Sequence, residues 1–237
     1  MQPAPPAGEH HHRDISGGTA RAAVFGASDG LVSNVSLILG VAAADPSSGI
    51  VRLAGLAGLI AGAVSMAAGE YVSMRAQAEL FERELDLERR ELRRNPNVEL
   101  AELTQIYQSR GMDPDRAREV ATELMADPET ALETHAREEL GIDPGSLGSP
   151  VAAAAWSFGA FALGALVPLL PWFFASGTGA TVSSVILGTV AAALLGVGLS
   201  RFTGRSAWFT SARQVSIAAV AATITYLVGS AVGVGVT

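Results

Sequence analysis

The sequence predicts an all-α, polytopic membrane protein: five transmembrane helices, with a small helical domain inserted between the second and third. Three observations predict it. Of the 237 residues 49% are hydrophobic, and the mean hydropathy is positive at +0.33. Charge is segregated: from Ala22 to Met74 the only charged residues are Asp29, Asp45, Arg52 and Glu70, and from Val151 onward only Arg201, Arg205 and Arg213. Between these regions, residues 76–148 hold 18 of the 23 acids and 9 of the 16 basic residues, a local net charge of −9. The overall charge of −7 therefore belongs to the insert. It excludes a nucleic-acid binder, which needs a basic face.

A spanning helix takes about 20 largely apolar residues. Stretches 21–44, 51–74, 150–174, 180–201 and 209–235 meet that length. The domain organisation follows: a flexible tail over 1–19, two spans within 20–75, the acidic insert over 76–148, and three spans within 149–237. Turn chemistry separates the spans, with "ADPSSG" from Ala44 and "SGTG" from Ser176. Arg13 and Arg21 precede the first span, and Arg201, Arg205 and Arg213 surround the fourth connection. The positive-inside rule puts both on the cytoplasmic side of a cell membrane, and with them the N-terminus and the insert. Arg52, alone on the outer side, runs against the rule.

No signal peptide is predicted: the first residues are polar, and the first apolar stretch is long enough to remain in the membrane. "EHHHRD" (Glu9 to Asp14) reads first as part of a solvated tail, with a tag remnant or a metal-catching arm as the alternatives. Cysteine is absent, so disulfides, thiolate metal sites and cysteine catalysis are excluded. All basic residues are Arg, the usage of a GC-rich bacterial genome. Small residues recur in every span, as in "GLAGLIAGAVSMAAG" from Gly55. They let helix backbones approach closely where no hydrophobic force drives association.

The second span continues past the membrane. "EYVSMRAQAELFERELDLERRELRR" (Glu70 to Arg94) has no Pro or Gly and mostly strong helix formers. It predicts one helix running on for roughly six turns. Asn95-Pro96 ends it, with Asn as a cap and Pro in the next first turn. The signature recurs at Asp113-Pro114 and Asp127-Pro128, predicting helices over 96–110, 114–126 and 128–140, closed by Gly141. Leu100, Leu103, Ile106 and Tyr107 are spaced to form one packed face.

Glu88 and Glu91 lie three apart on the protruding helix, as do Glu99 and Glu102 beyond Pro96, and such pairs share a helix face. A sharp turn at Asn95-Pro96 brings the two pairs within reach of each other. His135 and Glu139, four apart, offer an imidazole and a further carboxylate. Such a set suits Fe²⁺, Mn²⁺ or Zn²⁺. An ordinary solvated acidic face paired with Arg is the competing reading. In the membrane, Met66 and Glu70 lie four apart on the second span, and Asp29 on the first can face them. A carboxylate at that depth costs roughly 2.5–3.5 kcal/mol on insertion scales, and buried acids in a bundle mark ion or proton routes. For a lone Met, gap-filling in a core is the favoured ordinary reading, and for Glu70 an interfacial position is the alternative.

Together "AAVFGASDGLVSNVSLILGV", "AGAVSMAAGEYVSM" and "THAREELGI" resemble the vacuolar iron transporter family over nearly the whole chain. The resemblance implies a bacterial member of a family of five-span homodimers. These move Fe²⁺, and often Mn²⁺, out of the cytosol in exchange for protons, along a path at the dimer interface. It places the family's membrane aspartate on Asp29 and its membrane methionine on Met66. The metal-binding glutamates of the cytosolic domain fall on Glu88, Glu91, Glu99, Glu102 and Glu139. Two positions depart: a methionine pair becomes His135 and Ala136, and a further membrane acid becomes Gly58. An imidazole in place of sulfur broadens the expected selectivity toward Mn²⁺ or Zn²⁺.

The leading expectation is thus a divalent-metal exporter with no prosthetic group, whose partners are metal ions, protons, the lipid membrane and a second copy of the chain. A membrane-anchored metal buffer or sensor is the alternative; Asp29 and Glu70 within the spans argue against it. An enzyme of the di-iron oxidase type needs paired Glu-x-x-His motifs. Leu132 stands three before His135, so that pattern is absent.

Overall fold

The computed structural model describes residues 18–44, 47–141, 143 and 148–234. The described residues contain no strand. Their helices are α1 (Gly18–Ala43), α2 (Ser48–Arg94), α3 (Pro96–Ser109), α4 (Pro114–Leu124), α5 (Pro128–Glu138), α6 (Pro150–Leu169), α7 (Pro171–Phe174), α8 (Gly177–Thr203) and α9 (Ala207–Val234). Five of them, α1, α2, α6, α8 and α9, are long and apolar enough to cross a membrane. The fold is that of an all-α, multi-pass membrane protein. The tail histidines His10, His11 and His12 lie outside the described residues.

The 47 residues of α2 form one helix. At 1.5 Å per residue it is about 70 Å long, more than twice the ~30 Å hydrocarbon core. It has to protrude, as the unbroken run from Glu70 predicted. It stops where the Asn95 N–H closes on the Glu91 carbonyl at 2.8 Å. Asn95 does not make the predicted side-chain cap. Its amide donates back to Glu91 Oε2 at 2.9 Å, while α3 opens on Pro96, which has no N–H to satisfy. The other two caps form: Asp113 accepts from the N–H groups of Asp115 and Arg116, and Asp127 from that of Thr130. Helices α3 and α5 pack on the protruding end of α2, and α4 packs chiefly on α3. Leu103 is fully buried at their centre with Ala117, Ala121 and Ala136, and Leu100, Ile106 and Tyr107 are half-buried around it.

The predicted third span, 150–174, is broken. α6 ends at Leu169 and the four-residue α7 follows, because Pro168 and Pro171 have no N–H to donate. Ser184 Oγ on α8 donates to the Pro168 carbonyl at 2.7 Å. That satisfies a backbone acceptor near the break where lipid offers no donor.

Helix α1 is the axis of the bundle, packing most extensively on α6 and next on α9, α2 and α8. Glycine makes this possible. A Cβ on Gly30 would collide with the Phe161 carbonyl, and one on Gly164 with the Ala27 carbonyl, so α1 and α6 touch backbone to backbone. Within their apolar windows α1 is 44% buried and α9 6%. Helix α1 is thus the span most enclosed by its neighbours.

Candidate metal site and membrane groove

The insert brings four ligand-bearing side chains together from three helices. Glu88 comes from the protruding end of α2, Glu99 from the first turn of α3, His135 from the last turn of α5 and Glu139 from that helix's cap. Their ligand atoms all lie within 4.8 Å of one another. His135 Nδ1 is 3.2 Å from Glu88 Oε1, 3.5 Å from Glu139 Oε2 and 3.7 Å from Glu99 Oε2. Two ligands each about 2.1 Å from one ion cannot be more than about 4.2 Å apart. The three separations from the imidazole already meet that limit.

Glu88, Glu99 and His135 are buried, and Glu139 opens to solvent at the rim. Glu88 Oε1 and both ring nitrogens have no aligned hydrogen-bond partner. Three carboxylates around one imidazole leave excess negative charge whichever way the imidazole is protonated. Burial, then the charge of Glu88, raises the Glu99 carboxyl above its ordinary value, and Glu139 rises for the same two reasons. Burial opposes charge on His135, but its proximity to Glu88, then to Glu139 and Glu99, holds its pKa above the usual 6.5. A divalent cation would offset the mutual repulsion of these carboxylates.

The two other candidate glutamates of the insert are placed differently. Glu91 is exposed and accepts the Asn95 amide. Glu102 is exposed too, yet its charge raises the carboxyls of Glu99 and Glu139, so it borders the cluster. The reason is angular: residues three apart on a helix are offset by about 60°, and the cluster needs only one residue of each pair.

In the bundle, Asp29, Met66 and Glu70 line one groove of about 500 Å³. Phe25 and Ser33 extend its α1 wall, Gly58 and Gly62 its α2 wall, and Phe161 of α6 closes it. Glu70 is not free: Arg21 donates to it at 3.1 Å, the Glu70 side chain being 12% exposed. The sequence marked Arg21 only as an orientation signal. Its partner lies 49 residues away, and no local pattern announces the pair. Ser33 Oγ donates to the Asp29 backbone carbonyl at 2.5 Å, and Asp29 itself lines the groove.

A multi-pass helical membrane protein with an acid-rich insert and an acid-lined groove is the class this architecture defines. The sequence profile of the VIT family matches residues 20–230, and the chain belongs to that family. It is 46% identical over 164 residues to a "Vacuolar iron transporter" of Acanthamoeba castellanii, covering 69% of this chain and 59% of that protein. It is 32% identical over 227 residues to "Vacuolar iron transporter 1" of Oryza sativa subsp. japonica, covering 94% and 90%. It is 32% identical over 214 residues to a "Vacuolar iron transporter" of Centaurea cyanus.

Proposed function

We propose that the protein moves Fe²⁺ and Mn²⁺ across the membrane, out of the cytosol, in exchange for protons. Glu88, Glu99, His135 and Glu139 capture the ion, with Glu102 at the mouth of the site and Glu91 on its outer side. Asp29, Met66 and Glu70 line the route through the bilayer. The reading rests above all on the convergence of three carboxylates and an imidazole within 4.8 Å. Oxygen and imidazole ligands suit these ions, and divalent affinity rises from Mn²⁺ toward Zn²⁺, so Zn²⁺ binds the insert as well. The chain lies in a cell membrane with the insert cytoplasmic, the side that the flanking arginines favour. Relatives named as iron transporters support the substrate class.

A homodimer completes the path. The groove is open to the side, and the apolar window of α2 is only 17% buried within one chain. A second copy across it shields Asp29 from lipid and doubles each ligand by closed two-fold symmetry. A metal buffer anchored by inert spans has no use for an acid-lined groove. The test is uptake of Fe²⁺ and Mn²⁺ into vesicles reconstituted with the full protein, with and without a pH gradient. Flux that grows with an opposing proton gradient supports exchange. Metal binding without flux assigns the protein to the buffer reading.

A further inference from the structure

Asn34 is 2% exposed on the central helix α1. Its Nδ2 donates to the Ala165 carbonyl of α6 at 2.6 Å. That bond fixes the amide, so Oδ1 must face the other way, and Oδ1 has no hydrogen-bond partner. An unmet buried acceptor costs about 1–3 kcal/mol, and lipid supplies no donor to recover it. Ser36 and Ser157 also have buried hydroxyls without partners. A hydroxyl can rotate toward a backbone carbonyl of its own helix, so neither makes the same demand.

The direction of Oδ1 is informative. A Cβ placed on Gly58 of α2 would lie 3.0 Å from it, and Gly58 lines the groove together with Asp29, Ser33 and Met66. What shares that space is Leu37 Cδ2, the far end of a side chain that is itself 36% exposed and able to swing away. Asn34 does not itself line the groove: five residues after Asp29, it lies about 7.5 Å further along α1 and about 140° around it, and is reached past Gly58 and Leu37.

We propose that Asn34 Oδ1 is a ligand for the divalent cation in the membrane, an oxygen beyond Asp29 and Ser33 on the same helix; this rests on the transport reading above. Amide oxygens coordinate hard divalent cations without adding charge. A neutral ligand after a charged one accepts the ion and lets it leave, the balance that conduction requires. Glycine at position 58 keeps the approach to Oδ1 clear, and Leu37 covers it when no ion passes.

The test compares Asn34→Leu, Asn34→Asp and Gly58→Ala in the full-length protein, as Mn²⁺ flux into vesicles per folded molecule. Asn34→Leu loses the donor to Ala165, and so does Asn34→Asp in its ionised form, the form that can hold Mn²⁺, so an amide that only staples α1 to α6 predicts loss from both and a lower KM from neither. As a ligand, Asn34→Leu lowers flux at least about tenfold, while Asn34→Asp, which retains an oxygen, keeps flux and lowers the KM for Mn²⁺. Gly58→Ala leaves the staple intact and raises KM. Equal flux in the two Asn34 variants overturns the proposal. Should Asn34→Asp fail to fold, an unchanged KM in Gly58→Ala overturns it. Wild-type protein without Fe²⁺ or Mn²⁺ flux sinks the transport reading and this ligand with it; wild-type flux that survives in Asn34→Leu sinks the ligand alone.

Discussion

In the insert, Glu88, Glu99, Glu139 and His135 crowd their ligand atoms within 4.8 Å of one another. In the bundle, Asp29, Met66 and Glu70 are spread along an open groove, and Glu70 is engaged by Arg21. Both regions bury acids, at different cost. The insert stands clear of the apolar windows, and its repulsion is set by how many carboxylates meet. The bundle faces hydrocarbon, where even one carboxylate is expensive, so its acids are few, spaced apart or neutralised. A crowded site holds a cation tightly and a sparse one releases it. In the proposed reading the first captures and the second passes.

The largest expected effect separates the two regions. Asp29→Asn keeps the size and removes the charge, so Fe²⁺ and Mn²⁺ flux in vesicles should fall to background while calorimetric binding by the insert is unchanged. Normal flux would make the acid structural and send the ion elsewhere. Next comes His135→Ala, which removes the one ligand in contact with all three carboxylates. Mn²⁺ affinity should drop by about 10- to 100-fold. Flux at saturating metal should drop much less, since the groove is untouched. An unchanged dissociation constant would return the cluster to an ordinary buried polar network.

Proton dependence sharpens the contrast further. Glu99, Glu139 and His135 all have pKa values raised on folding. Protonation therefore stabilises the metal-free insert. For the glutamates that contribution is complete below the ordinary 4.5 and for the histidine below 6.5. It is lost as pH rises through each raised value. Metal reverses the sign, because ligands must be deprotonated to bind. Melting temperatures of the full protein should fall with rising pH in chelator and rise with it in Mn²⁺, and both trends should shrink in Glu99→Gln. Parallel slopes in the two conditions would break the link between these groups and the metal.

The smallest effects are expected at residues each region holds loosely. Glu91→Ala should change Mn²⁺ affinity by less than about twofold, since Glu91 is exposed and bonded to Asn95. Met66→Leu should slow flux only about two- to threefold, because a thioether is a weak ligand for these ions and the bulk is kept. A tenfold loss in either would show that the ligand set extends further than the geometry of one chain.

Much of the fold was written locally. Apolar runs mark helices long enough to span, Pro96, Pro114 and Pro128 start the insert helices, and an unbroken run of helix formers carries α2 past the bilayer. Such signals depend on a residue and its near neighbours, so one sequence carries them in full. The apolar run 150–174 hid the break in the third span, although its signal is local: Pro168 and Pro171, whose missing N–H groups outweigh their apolar surroundings. The ligand types at the insert could be named the same way, because their spacing along each helix is a local property.

Which of those residues meet was decided only by tertiary packing. Spacing assigns a side chain to a face of its own helix but not to the direction that face takes against the next one. Glu88 and Glu99 thus reach His135 while Glu91 turns outward and Glu102 stays at the mouth. Arg21 finds Glu70 across 49 residues, and the Ala165 carbonyl, 131 residues away, orients the Asn34 amide. Each depends on how far helices rotate and how closely they approach. In the bundle that is settled by glycines such as Gly30, Gly58 and Gly164, in the insert by how α3 and α5 pack on α2, and no local stretch of sequence contains either.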